Sequence, residues 1–117
     1  MRDIGQTRII RALFYSTSGL REAWKTQTAF RQEVCLLLLA VILIFFVGDT
    51  ATEKILLLSS LLLVLMVELL NSGLETAIDR ISLERHELSK RAKDFGSAAV
   101  FVSLINAAAT WSLIIFW

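Results

Sequence analysis

The chain has no proline and only one cysteine, and each scarcity limits what it can be. Without proline, no residue removes a backbone donor from a long helix, so we expect continuous helices. The single cysteine, Cys35, cannot form an intrachain disulfide, which removes the signature of a disulfide-stapled secreted domain. Charge is also scarce within long stretches, because 56% of the residues are hydrophobic. This composition disfavours an ordinary soluble enzyme and favours a helical membrane protein.

Three apolar segments are long enough to cross a bilayer as helices. They cover residues of about 30–47, 55–79 and 95–117. Ahead of them, residues of about 4–27 carry apolar side chains at helical spacing with arginines between, which predicts an amphipathic helix on the membrane surface. A helix packed on another subunit is the alternative. We therefore expect an all-α membrane protein, a single domain over 1–117, with residues 80–94 connecting the last two spans.

Basic residues are concentrated in two places. Six precede the first apolar segment, five lie between the last two, and Lys54 stands alone between the first two. Lys and Arg bias the loops that carry them toward the cytoplasm. We therefore expect the amino terminus and residues 80–94 to be cytoplasmic and the loop at 49–54 to lie outside.

The middle segment carries polar residues on one face. They are Glu68, Asn71, Ser72, Glu75 and Asp79. At about 100° per residue these positions fall within an arc of roughly 100°. Glu68 lies near 20 Å into a hydrocarbon core of about 30 Å, where a carboxylate costs about 2–3 kcal/mol, so a functional role is the default hypothesis. The alternative is that these groups hold helices together by hydrogen bonds.

A second polar cluster lies in the connection. It contains Glu84, Arg85, His86, Glu87, Lys90, Arg91, Lys93 and Asp94. Carboxylates beside cations suit phosphoryl transfer, although basic residues beside a span also serve topology and anionic lipid headgroups. The chain has no Gly-x-x-x-x-Gly-Lys-Ser/Thr loop, kinase glycine-rich loop or Asp-Phe-Gly motif. Any nucleotide site must therefore be built by another route.

Six short motifs are distributed along nearly the whole chain. They are Thr7-Arg8-Ile9-Ile10, Ala29-Phe30-Arg31-Gln32-Glu33, Glu68-Leu69-Leu70-Asn71-Ser72 with Glu75 and Asp79-Arg80-Ile81, His86-Glu87-Leu88-Ser89, Arg91-Ala92-Lys93-Asp94, and Gly96-Ser97-Ala98-Ala99-Val100. Together they resemble the prokaryotic integral-membrane diacylglycerol kinase family. The resemblance implies a homotrimer in the bacterial inner membrane, with cytoplasmic active sites shared between subunits. The implied reaction passes the terminal phosphate of MgATP to diacylglycerol, giving phosphatidic acid and ADP.

The resemblance also implies roles for individual residues. Glu68 would be the general base, with Asn71 orienting it and Asp79 supporting the network, while Glu75 and Gln27 would hold magnesium. The implied ATP-binding residues are Arg8, Tyr15, Gln27, Glu75, Glu84, Arg85, His86, Lys93 and Asp94. Among these, Lys93 would meet phosphate, and Asp94 would either hold Lys93 or meet the adenosine. The implied lipid-binding residues are Arg21, Trp24, Ala29, Phe30, Glu33, Glu68, Ser97 and Trp111. No nucleic acid is expected as a partner.

Two positions depart from the family pattern. Gln27 stands where the family has a second metal-binding glutamate, and an amide brings no charge to a hard cation that prefers carboxylates. We therefore expect weaker magnesium affinity or a substitute ligand such as Glu22. Lys90 stands where the family would have glycine and adds a cation beside the predicted nucleotide site.

Three other functions compete with this reading. A kinase for another lipid alcohol, such as undecaprenol, would use the same chemistry. A proton or ion carrier could use the intramembrane carboxylates, but the outer half of the middle segment offers only Ser59 and Ser60, which counts against a path across the membrane. A non-catalytic adaptor would not need five polar residues in one register.

Overall fold

The chain forms four α-helices in a computed structural model that describes the backbone from Ile4 and the side chains from Gln6 to Trp117; Arg2 lies outside these residues. The helices are α1, Ile4–Thr26; α2, Thr28–Val47; α3, Ala51–Ile81; and α4, Glu87–Phe116. No strand occurs among the described residues, so the all-α prediction is confirmed. α2, α3 and α4 are each long and apolar enough to cross a membrane.

The chain divides into two compact units, one ending at Gln32 and the other covering Glu33–Trp117, so the boundary falls within α2. In the first unit, α1 ends before Gln27, whose backbone nitrogen donates to the Ala23 carbonyl at 2.9 Å. Large apolar side chains of α1, including Leu13 and Phe14, are exposed. That α1 lies on a membrane surface stays a prediction.

α3 and α4 both extend beyond the apolar segments from which they were predicted. α3 begins at Ala51, four residues before the predicted start, because Thr50 caps it: its Oγ1 accepts from the Glu53 backbone nitrogen at 3.1 Å. α4 begins at Glu87, eight residues before the predicted start, because His86 caps it in the same way. Apolar composition marks the part that suits hydrocarbon, whereas helical hydrogen bonding continues through polar residues until a cap ends it.

α3 and α4 pack against each other in antiparallel orientation, as the short connection predicted. The connector between them consists of residues 82–86. Where the two helices meet away from the connector, the buried residues include Leu57, Ser60 and Val64 of α3 with Ser103 and Ala107 of α4. At about 1.5 Å per residue each helix is about 45 Å long, which exceeds a hydrocarbon core of about 30 Å. One or both ends of the pair must therefore project beyond the hydrocarbon.

Candidate functional site

Three polar side chains lie on successive turns of α3, as the spacing predicted. Glu68, Asn71 and Glu75 are each half-buried, and Asn71 Nδ2 donates to Glu75 Oε1 at 3.4 Å. A helix with 3.6 residues per turn brings positions three and four apart to one side. The structure therefore joins Asn71 to the residue predicted to hold the metal.

Buried polar atoms without partners gather at this place. Among the described residues, Glu33 Oε2, Glu68 Oε2 and Asn71 Oδ1 are buried and make no hydrogen bond. Glu33 of α2 lies within electrostatic reach of Glu68, as does Glu75. An unsatisfied buried polar group costs about 1–3 kcal/mol, and such groups in a native structure call for an explanation. Three acceptors of this kind suit a ligand that supplies a hydroxyl proton or a cation.

Gly96 of α4 determines how closely the two helices approach at Asn71. A Cβ atom placed on Gly96 would overlap Asn71 Oδ1 and lie 3.2 Å from Leu74 Cδ2. Sequence reasoning quoted Gly96 within a motif but gave it no role. The available signal was its position inside a helix, where glycine costs about 1 kcal/mol relative to alanine. A glycine is kept inside a helix despite this cost when a neighbouring residue leaves no room for a methyl group.

Two ion pairs organise the connector end of the α3–α4 pair. Lys93 Nζ lies 2.9 Å from Asp79 Oδ1 and so joins α4 to α3, whereas Lys90 Nζ lies 2.8 Å from Asp94 Oδ2 within α4. Both pairs are substantially exposed. Asp94 therefore contacts Lys90 among the described residues, and both roles considered for it with a ligand stay predictions. The reason is helical spacing, because residues four apart face each other whereas adjacent residues do not.

Five of the nine residues predicted to bind ATP line one open cleft of about 360 Å³ beside these ion pairs: Glu84, Arg85, His86, Lys93 and Asp94. Asp79, predicted to support the catalytic network, lines it too, whereas Glu75 does not. Ser82, Leu83, Ser89 and Lys90 also line it and had no assigned role in the cleft. His86 Nδ1 accepts from the Leu88 backbone nitrogen at 3.0 Å, which leaves Nε2 as the ring atom that can donate to a ligand. The lining of this cleft therefore combines cations with carboxylates, which suits the binding of a polyanion that carries a metal ion.

A complete metal cage is absent from the part of the chain whose side chains are described: no group of three His, Cys, Asp or Glu residues could hold an ion. Magnesium in phosphoryl-transfer enzymes is bound by one or two carboxylates together with substrate phosphates. Glu75 offers a carboxylate of that kind, since the Asn71 amide takes up only its Oε1 atom. The site residues therefore fit a magnesium ion that arrives with a phosphate ligand.

The predicted lipid-binding residues of α4 do not meet at one point. Ser97 is exposed next to Gly96, whereas Trp111 lies fourteen residues further along α4, at a distance of about 21 Å along the axis. Trp111 lines an apolar cavity of about 330 Å³ between α2, α3 and α4. Its Nε1 is buried without a partner among the described residues. A ligand that touches both ends must be long.

The remaining predicted residues belong to the unit that ends at Gln32. Arg8, Tyr15, Arg21, Trp24 and Ala29 are exposed, Gln27 is half-buried, and Phe30 is buried. Their roles with nucleotide, metal and lipid stay predictions.

The chain is similar to known proteins over almost its whole length. A family model described as prokaryotic diacylglycerol kinase matches residues 14–115. The diacylglycerol kinase of Escherichia coli (strain K12) is 50% identical over 111 residues, which cover 95% of this chain and 91% of that protein. The Haemophilus influenzae diacylglycerol kinase is 50% identical over 116 residues, with 99% and 98% covered. That of Pseudomonas aeruginosa is 45% identical over 111 residues, with 95% and 90% covered.

Proposed function

Because this chain belongs to the prokaryotic diacylglycerol kinase family, we propose that it transfers the terminal phosphate of MgATP to the hydroxyl of diacylglycerol, giving phosphatidic acid and ADP. The observation that carries the proposal is the unpartnered, buried Glu68 Oε2 on the α3 face that leads to the cleft of cations and carboxylates. The lipid oxygen bonds to the terminal phosphorus, the bond from that phosphorus to the oxygen of ADP breaks, and the hydroxyl proton passes to Glu68.

Glu68 acts as the general base. A base must lie within hydrogen-bond reach of the proton it takes, and a carboxylate oxygen with no other partner is free to do so. Asn71 is fixed on one side by Glu75 and on the other by the close approach of Gly96. The Asn71 side chain, positioned in this way, orients the Glu68 carboxylate for the proton transfer.

Glu75 and Gln27 hold magnesium together with ATP. Bound there, the ion would supply positive charge that offsets the charge of the phosphates. The hydrogen bond from Asn71 orients the Glu75 carboxylate for this contact. Gln27 offers an amide oxygen, and Glu22 is the substitute carboxylate if the amide is too weak.

Lys93 meets the phosphates after it leaves Asp79. The two groups are 42% and 48% exposed, and an ion pair this open to solvent contributes about 0–1 kcal/mol, so a polyanion can displace the carboxylate. Arg8, Tyr15, Glu84, Arg85 and His86 complete the nucleotide contacts. Asp94 pairs with Lys90, which offsets its negative charge beside the cleft.

The lipid lies along α4 with its hydroxyl toward Ser97 and its chains toward Trp111. The separation of about 21 Å between these residues along the helix axis suits an extended acyl chain. Arg21, Trp24, Ala29, Phe30 and Glu33 supply the headgroup side. The connector and the amino terminus face the cytoplasm of a bacterial inner membrane, where ATP is available, and three copies form a homotrimer whose subunits share each site.

The test is a phosphorylation assay with detergent-purified protein, radiolabelled ATP, magnesium and diacylglycerol. We expect labelled phosphatidic acid that requires both magnesium and diacylglycerol. Undecaprenol serves as the competing acceptor, and faster labelling of undecaprenol would assign the chain to a different lipid alcohol. Retained ATP binding would show that the protein is folded. Absence of label in both lipids with such protein would overturn the kinase proposal.

A further inference from the structure

Asn106 exposes an amide in the middle of a hydrophobic span. It lies eleven residues past Phe95, about 17 Å along a segment that carries no charge. Its side chain is exposed in the protomer. The side-chain hydrogen bonds of α4 and its cap, within the described residues, involve His86, Lys90, Lys93 and Ser103 and not Asn106. Two N–H donors and a carbonyl acceptor are therefore presented where lipid supplies no partner.

The serines at the same depth of the α3–α4 pair show how a polar group is normally accommodated. Ser60 Oγ donates to the Leu57 carbonyl at 2.8 Å, and Ser103 Oγ donates to the Val100 carbonyl at 2.7 Å. Both serines are buried. Asn106 is exposed and makes no side-chain hydrogen bond to any residue that the structure describes, so its amide calls for a partner from outside the protomer.

Asn106 lies at one end of an apolar groove of about 570 Å³ between α3 and α4. The residues that border it include Leu63, Val67, Ala98, Ala99, Val102 and Asn106. Three of the six residues that α4 contributes, Ala98, Ala99 and Ser103, are small, which allows a neighbouring helix to come close to the backbone there. An acyl chain would fill such a groove but would leave the amide unsatisfied.

A second copy of this chain brings polar groups to the required depth. Copies that insert with the same topology place each residue at one level of the bilayer, so the Asn106 side chains of two copies are level. Ser59 lies at a similar level. Gly96 lies opposite Asn71, so ten residues further from the connector Asn106 of α4 lies opposite Leu61 of α3, and Ser59 is two residues from Leu61. Ser59 is exposed, like Asn106. An amide both donates and accepts, so it can bond to either group.

We propose that a second copy of this chain covers the α3–α4 groove and that Asn106 forms a hydrogen bond across this interface to the partner subunit's Asn106 or the partner subunit's Ser59. The proposal rests on the homotrimer described above and names the face through which its subunits meet. The groove supplies close packing, and the amide fixes the level at which the helices dock.

Cysteine cross-linking tests the proximity. In a Cys35→Ala background, Asn106→Cys alone and Asn106→Cys combined with Ser59→Cys are oxidised in bilayers. We expect disulfide-linked dimers from at least one of these variants, at a yield several-fold above that of Leu104→Cys, alone and combined with Ser59→Cys. Leu104 is the matched control because it is exposed on α4 two residues from Asn106. Yields equal to the control would contradict the proximity.

Association measured by sedimentation equilibrium in detergent tests the hydrogen bond itself. Asn106→Val should weaken association about three- to fifteenfold per contact, which is the range for a hydrogen bond between membrane helices. Asn106→Gln should restore much of the loss, and the control Ile105→Val should associate like the wild type. If the wild type is monomeric, this inference and the homotrimer fail together. If it is trimeric but Asn106→Val associates normally, only the assignment of Asn106 is overturned.

Discussion

Polar side chains are satisfied differently in the two halves of the α3–α4 pair. In the distal half, away from the connector, Ser60 and Ser103 are buried and each donates to a carbonyl three residues earlier on its own helix. In the connector half, Glu68 Oε2 and Asn71 Oδ1 are buried without a partner among the described residues. Both halves belong to the same two helices, so the contrast does not come from secondary structure.

Under the proposed function, the contrast separates polar groups that serve packing from polar groups that serve a ligand. A serine that bonds to its own backbone costs little and requires nothing from outside the chain. A buried carboxylate or amide oxygen without a donor lowers stability and is retained when a substrate later supplies the donor. Substitutions in the two halves should therefore change different measurements: activity in the connector half and association or stability in the distal half.

Glu68→Gln should produce the largest loss of activity. Removing a general base lowers kcat by about 10²–10⁴-fold. ATP binding should stay within about twofold of the wild type, because the amide keeps the size of the side chain and does not touch the nucleotide cleft. Turnover and equilibrium nucleotide binding are measured on the same preparation. The matched change in the distal half, Ser60→Ala, should keep nearly full activity, and equal activity of Glu68→Gln and wild type would remove Glu68 from the role of base.

Glu75→Gln should weaken magnesium-dependent ATP binding. Losing a carboxylate that contacts the ion is expected to raise the magnesium concentration for half-maximal rate by about 10- to 100-fold, the range seen even for groups that only orient a ligand. The measurement is the rate against magnesium concentration at fixed ATP. A lower kcat at saturating magnesium with no change in this dependence would instead place Glu75 with the base.

Gly96→Ala should lower kcat by about tenfold, because the added methyl group would overlap Asn71 Oδ1 and displace the amide, and small misplacements in a site are costly. Gly73→Ala is the control, since a Cβ there meets nothing within 4 Å and alanine favours a helix. Thermal stability is recorded for both variants. If Gly96→Ala and Gly73→Ala have equal kcat, the close approach of α4 does not position Asn71.

Gln27→Glu should strengthen magnesium use. A carboxylate is a better ligand than an amide for a hard cation, so the magnesium concentration for half-maximal rate should fall by about fivefold. Measuring the same substitution in a Glu22→Gln background separates the two candidate ligands. An unchanged magnesium dependence in both backgrounds would exclude residue 27 as a metal ligand.

Lys90→Ala should have the smallest effect. The Lys90–Asp94 pair is exposed and lies within one helix, and such pairs contribute little to stability. The cleft would lose one cation and keep the unpaired negative charge of Asp94, so the KM for MgATP should rise by about twofold with kcat unchanged. The readout is steady-state kinetics with varied ATP, and a fall in KM would show that Lys90 hinders the nucleotide.

Much of the fold follows from the sequence, and much of the site does not. The order of the helices and the face of α3 with Glu68 and Glu75 follow from apolar segments and helical spacing. The early starts of α3 and α4 do not, because Thr50 and His86 cap them through local hydrogen bonds within polar residues. The ion pair between Lys93 and Asp79, fourteen residues apart, depends on which faces α3 and α4 turn toward each other, and sequence spacing alone does not give this.

The functional residues that sequence reasoning missed depend on the same tertiary detail. The approach of Gly96 to Asn71 is set by how α3 and α4 pack, and no spacing rule gives that distance. The pairing of Lys90 with Asp94, in contrast, is a local i to i+4 contact that helical spacing could have predicted. The residues of α1 belong to a separate unit, and their predicted contacts with the site rest on the resemblance alone.

The length of α3 and α4 has a consequence for the lipid around them. The polar ends of this pair, about 45 Å long, project beyond the hydrocarbon, whereas its apolar part must match the hydrocarbon thickness, and mismatch there is relieved by tilt or by local changes in membrane thickness. The depth of Glu68 below the water boundary therefore varies with the thickness of the host bilayer. Under the proposed function, the thickness of the surrounding membrane thus sets the depth at which the phosphate donor must reach the Glu68 carboxylate.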